Sequence, residues 1–112
     1  MSITKEVLVE KMKGSGSVVL NVLPEAEFLN MHIQGSHSLP LLRDRKAFIQ
    51  EVKDRFGCDK AFVTYASNIT SHDSIDAAEA LVNEGIRAES YLSGMKEWAQ
   101  AGLPTEGLLV KV

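Results

Sequence analysis

Cysteine is the scarcest informative residue here: Cys58 is the only one in 112 residues. A disulfide within the chain is therefore excluded, and so is a zinc site built on cysteine pairs. The three histidines, His32, His37 and His72, lack the HxxxH type of ligand spacing, so neither a metal nor another cofactor is expected. Positive charge is also short. Twelve Lys and Arg against fifteen Asp and Glu leave a net charge of −3, the wrong sign for a dedicated nucleic-acid binder. No apolar run approaches the length of a membrane span, and the first fourteen residues, MSITKEVLVEKMKG, lack the apolar stretch of a signal peptide. The expectation is a cytoplasmic protein with no nucleic-acid or membrane partner. No repeat, low-complexity tract or long charge block interrupts the chain.

What remains is ordinary for a globular protein: 45% apolar and 24% charged residues. The length fits a single domain over residues 1–112, with a core expected over about 3–106 and a tail at 107–112. A chain of this size buries roughly 65% of its unfolded surface, enough to fold without a disulfide or metal staple.

Gly, Pro and periodicity divide the chain. Thr4 to Lys13 reads as a helix capped by Thr4, with Val7, Leu8 and Met12 near one face. After Gly14-Ser15-Gly16-Ser17, the run Val18-Val19-Leu20-Asn21-Val22 lacks alternation, as a strand buried on both faces does. Pro24 opens a short helix, Glu25 to Met31, and His32 to Pro40 reads as loop. Asp44 to Phe56 is a helix with a stripe of Phe48, Ile49, Val52 and Phe56, and Gly57 stands at its stop. Ala61 to Ala66 is the second strong strand. It leads through Ser67 to His72 into a helix from about Asp73 to Glu84, with Ile75, Ala78, Leu81 and Val82 as its stripe. Ala88 to Leu92 is a third strand, Gly94 to Gln100 a last helix, and Leu108 to Val112 an edge strand or a docked tail. Strands alternating with helices imply an α/β fold, an open and mostly parallel sheet with helices on both faces. Ligands of such sheets bind at the carboxyl ends of the strands, which is where Ser67 to His72 lies.

Four segments together resemble the rhodanese-like domain family, and they span nearly the whole chain. They are Val18-Val19-Leu20-Asn21-Val22-Leu23, Glu27-Phe28 with His32-Ile33-Gln34-Gly35-Ser36, Phe62-Val63-Thr64-Tyr65 running on to Ala77-Ala78-Glu79-Ala80-Leu81, and Leu92-Ser93-Gly94-Met95-Lys96-Glu97-Trp98 with Gly102-Leu103-Pro104. The resemblance implies a rhodanese-like topology. It also implies a strand ending Tyr-Cys, whose Cys takes sulfane sulfur from a donor such as thiosulfate and passes it on as a persulfide. Amides converging at a helix N-terminus suit such a loop to a thiolate or another anion.

Against that pattern, Tyr65 is followed by Ala66, which can neither attack nor carry charge. Ser71 stands where some members carry a second Cys, no Arg occurs between Phe56 and Arg87, and Asn21 and Leu23 replace the family's Asp and Arg, removing an ion pair. The resemblance therefore implies a catalytically degenerate domain. Its candidate binding loop is Ser67, Asn68, Ile69, Thr70, Ser71 and His72, for a small anion, a sulfane-sulfur donor or a protein partner. The alternative is a thiosulfate sulfurtransferase-type enzyme in which Ala66 is an engineered replacement of Cys.

Other residues have plainer readings. Cys58 precedes Ala66 by eight positions, so a rise of ~3.3 Å per residue puts it on the order of 20 Å away at the opposite end of the strand, beside Asp59 and not a base. Ser71-His72-Asp73 has the residue types of a hydrolase triad, but consecutive side chains do not converge, and capping by Ser71 or Asp73 explains them better. His72 is a candidate donor to a bound ligand. His32 matches the family's motif histidine, with a structural task, and His37 is expected at the surface. Trp98 beside Met95 reads as a core or rim residue and not a cofactor stack. A phosphatase reading fails because both the nucleophile and the phosphate-gripping Arg are missing.

Overall fold

The computed structural model describes residues 2–14, 16–41, 44–67 and 72–108. Helix α1 (Lys5–Lys13) begins where the Thr4 hydroxyl accepts the Val7 amide at 3.2 Å. It is followed by β1 (Ser17–Asn21), α2 (Glu25–Asn30), β2 (His32–Ile33), β3 (His37–Ser38) and α3 (Arg45–Phe56). Asp44 caps α3 by accepting the Ala47 amide at 3.0 Å, and Gly57 ends it at a φ of +80°. The remaining elements are β4 (Ala61–Tyr65), α4 (Asp73–Asn83), β5 (Ala88–Tyr91), α5 (Gly94–Gln100) and β6 (Thr105–Glu106).

Four strands form a parallel sheet in the order β3-β1-β4-β5, so the α/β reading holds. In the middle of the sheet Val19 lies opposite Val63 and Asn21 opposite Tyr65. Both faces are covered. On one, Val18, Leu20, Phe62 and Ala66 pack with Phe48 and Val52 of α3 and with Ala77 and Leu81 of α4. On the other, Val19, Val63, Tyr65 and Tyr91 pack with Leu8 of α1, Trp98 of α5 and Ile33. Burial on both sides explains why β1 and β4 read as continuous apolar runs.

Three local readings change. Val7 and Val82 are 42% and 54% exposed, so α1 turns Leu8, Val9 and Met12 inward and α4 turns Ser74, Ala77, Ala78 and Leu81 inward. A run of apolar residues does not tell which of two neighbours faces the sheet; packing does. The stretch His32 to Pro40 is not all loop. Its two short strands separate, β3 joining the main sheet beside β1 and β2 pairing antiparallel with β6. Both are two residues long and carry no periodicity of their own. Among the described residues the last paired segment is Thr105–Glu106, ahead of the anticipated edge strand, of which residues 109–112 lie outside the described set.

No helix among the described residues is long and apolar enough to cross a membrane. The α1 assignment makes a direct prediction. Leu8→Ala should lower unfolding stability by about 2–5 kcal/mol through loss of a buried side chain. Val7→Ala should stay within about 0.5 kcal/mol, and urea midpoints of the two variants check both.

Candidate functional site

The carboxyl ends of β1 and β4 meet at one hydroxyl. Tyr65 is fully buried, and its oxygen lies 3.0 Å from Asn21 Nδ2, 3.0 Å from the Ile33 amide nitrogen and 2.7 Å from Ser36 Oγ. Ser36 Oγ also lies 2.7 Å from the Ile33 carbonyl, which can only accept. The proton assignment then follows. Ser36 donates to Ile33, Tyr65 donates to Ser36, and the Tyr65 oxygen accepts from Asn21 and Ile33. Asn21 Oδ1 accepts the Leu23 amide at 3.0 Å. At the place where the resemblance implies an acidic residue, this chain builds a neutral hydrogen-bonded network whose donors and acceptors match.

Burial raises the Tyr65 pKa above its ordinary value, although its hydrogen bonds to Ser36, Ile33 and Asn21 act the other way. Tyr91, whose hydroxyl donates to Glu97 Oε1 at 2.7 Å, is raised as well, by burial first and then by that carboxylate.

Beyond Tyr65 the chain leaves the sheet at Ala66, which is 1% exposed with its methyl in the cluster shared by α3 and α4. Helix α5 holds this exit. The Met95 amide donates to the Ala66 carbonyl at 2.9 Å and the Lys96 amide to the Ser67 carbonyl at 2.8 Å. Contact this close needs Gly94, which has a φ of +67°, and a Cβ there would fall 2.6 Å from the Ala66 oxygen. Gly94 was visible only as part of a motif; its use as the seat of the strand exit was not.

Of the candidate loop, Ser67 is half-buried and His72 is exposed as the N-cap of α4. Asn68, Ile69, Thr70 and Ser71 lie outside the described residues. His72 makes no side-chain capping bond, and Asp73 sits within the first turn and is not its cap. Ser74, not singled out from the sequence, is buried with a hydroxyl that has no hydrogen-bond partner. Its signal was a polar residue on the Ser74-Ala77-Ala78-Leu81 spacing, the inward face of α4. Thr64 Oγ1 donates to the Ser74 carbonyl at 2.6 Å, fixing that turn against the end of β4.

The remaining candidates lie elsewhere. Cys58 is exposed in the turn before β4, at the end of the strand opposite Ala66. His32 stacks on Phe28 at 3.8 Å, with Nδ1 2.9 Å from the Phe28 carbonyl and Nε2 3.5 Å from Glu106, so it ties α2 to β6. His37 is exposed and stands edge-on to Phe56 at 5.2 Å. Trp98 is buried and donates to the Pro104 carbonyl at 2.8 Å.

Known proteins share this fold. The family model of the Rhodanese-like domain matches residues 4–101, so the chain belongs to the rhodanese-like domain family. The crystal structure of the BH2092 protein from Bacillus halodurans is similar at a TM-score of 0.85 and 20% identity, covering 96% of this chain and 77% of that one. The Alr3790 protein from Anabaena sp. aligns at 0.81 and 18%, covering 96% and 94%. A rhodanese-related protein from Thermoplasma volcanium aligns at 0.71 and 23%, covering 97% and 98%. At these identities the likeness concerns the fold. Among curated proteins there is no significant match.

Two outcomes follow from the tyrosines. Tyr65→Phe leaves the Ile33 amide and the Asn21 side chain without their acceptor and should cost about 1–3 kcal/mol, read as a lower urea midpoint at unchanged slope. Both phenols have pKa values raised by folding, so their contribution is full below the unfolded tyrosine value of about 10 and is lost as pH rises through the folded values. The melting temperature should therefore fall above about pH 10, and Tyr91→Phe should make that fall shallower.

Proposed function

We propose that this chain is a catalytically degenerate rhodanese-like domain that works as a binding module through the segment 67–72. One observation carries the reading. Strand β4 leads from Tyr65 straight into Ala66, the position at which the resemblance puts the sulfur-carrying Cys. Sulfur transfer needs a thiolate that attacks the donor's sulfane sulfur, breaks the S–S bond and releases sulfite. A buried methyl group supplies none of this. Cys58, exposed at the other end of the strand, does not replace it.

What supports binding is the preserved frame. Met95 and Lys96 amides hold the strand exit, and α4 begins beyond the loop with its positive end toward it. A small anion is the ligand this frame favours, with exposed His72 as a further donor at the same end. A protein partner that reads the loop is the other form the module takes. The alternative, a sulfurtransferase whose Cys was replaced by Ala66, draws on the same frame.

Incubated with thiosulfate and cyanide, the protein should form thiocyanate no faster than buffer; turnover well above buffer would overturn the degenerate reading. Ala66→Cys separates a lost nucleophile from a lost cradle. With the cradle intact, that thiol should titrate below the usual range for free cysteine, about 8.5, and take up one sulfane sulfur per chain, measured by cyanolysis. An ordinary thiol with no persulfide would show that the frame no longer supports an anion.

A further inference from the structure

Four large apolar side chains are exposed among the described residues: Val7, Leu29, Val82 and Leu108. A lone exposed valine or leucine needs no explanation. Val7 and Val82 are of that kind, on α1 and α4 at opposite faces of the sheet. Leu29 and Leu108 are not. The Leu108 amide donates to the Leu29 carbonyl at 2.9 Å, so the two residues are neighbours although they come from distant parts of the chain. Their meeting is built into the backbone. Gly107 has a φ of +134°, and a Cβ there would fall 2.5 Å from the Asn30 carbonyl oxygen, so glycine lets the chain beyond β6 close on the end of α2. Yet the side chains brought together at this junction are left in water, Leu29 50% and Leu108 81% exposed. Helix α2 fully buries no residue, and its inward contact is half-buried Phe28, stacked on His32. A polar side chain at either leucine position would serve the fold as well.

The charge around them has one sign. Glu25 lies one turn before Leu29 on the same side of α2, Glu27 is in the same helix, and Glu106 stands two residues before Leu108. No Lys or Arg occurs from Gly14 to Leu42 or from Glu97 to Val110, the stretches that contain this surface. Among the described residues Glu25 and Glu27 have no ion pair, and Glu106 meets only His32, at 3.5 Å. The helix dipole accounts for two carboxylates in the first turn of α2, but not for Glu106 or for two leucines in water. We propose that Leu29 and Leu108, with Glu25, Glu27 and Glu106 around them, form a docking surface for a basic amphipathic helix of a partner protein. Such a helix sets apolar side chains one turn apart against the leucines, and its flanking Lys and Arg meet the carboxylates. Charge decides the occupant. A second copy of this chain would bring the same carboxylates against one another, and a phospholipid surface would bring phosphates of the same sign. The surface shares no residue with the segment 67–72 and does not rest on what that segment binds.

The probe is a synthetic helical peptide of about fourteen residues, with leucine on one face and lysine on the other. It is titrated into the isotope-labelled full chain at low salt, with amide shifts followed by NMR. Saturable shifts are expected at residues 25–30 and 105–108. Two control peptides, one with serine for leucine and one with glutamate for lysine, should give none. Leu29→Ser and Leu108→Ser should each weaken the peptide at least about tenfold while leaving the melting temperature within about 3 °C. The double variant Glu25→Gln/Glu27→Gln should weaken it at least about threefold and flatten its salt dependence. Absence of saturation, shifts centred elsewhere, equal binding of the serine control, or binding that survives both leucine substitutions overturns the proposal. A leucine variant that melts far lower or fails to fold overturns it too, because the side chain then serves packing. So does a dimer in sedimentation that Leu108→Ser dissociates, which makes a second copy the occupant, or flotation of the chain with phosphatidylcholine vesicles, which makes it a membrane. None of these outcomes touches the reading of the loop, which the sulfur-transfer and Ala66→Cys experiments test.

Discussion

The Tyr65 hydroxyl is the joint on which the upper end of the molecule depends. Through it, β4 is tied to Asn21 at the end of β1 and to the Ile33–Ser36 turn, which belongs to neither strand. Deep in the sheet, water cannot replace a missing partner, so the four groups hold one another in place or each carries a penalty. Asn21 takes part as a neutral amide, and its carbonyl turns outward to the Leu23 amide, setting the direction in which the chain leaves β1. Where the resemblance implied that an ion pair had simply been removed, a neutral network of matched donors and acceptors stands. A buried neutral network avoids the desolvation of two charges.

From this joint the site is assembled in steps. The sheet brings Asn21 and Tyr65 side by side; the next residue, Ala66, leaves the strand with its carbonyl held by α5. Gly94 permits the approach, and Thr64 draws the first turn of α4 down from the other side. The frame around position 66 is thus determined from both faces of the sheet. It holds whether the side chain there is a thiol or a methyl, because every bond that builds it comes from backbone or from neighbours.

Much of this was legible in the chain before folding. The apolar runs around Val19 and Val63, the stripe Phe48–Val52, and the capping residue Thr4 all became the elements they announced. The order of those elements implied the parallel sheet. Less legible were choices between neighbours. Val7 and Leu8 are equally apolar, yet only Leu8 meets the sheet. His32–Ile33 and His37–Ser38 became strands because partners reached them from Thr105–Glu106 and from β1.

Local sequence determined the elements, their order and the chemistry available at position 66, since propensity, capping and side-chain identity are properties of a residue and its near neighbours. Tertiary structure alone decided that Tyr65, Asn21 and Ser36 share one hydroxyl network, that Gly94 seats the strand exit, and that Ser74 is buried without a partner. Asn21 and Tyr65 alone lie 44 positions apart, and a hydrogen bond or its absence depends on where distant groups arrive, which no local pattern encodes.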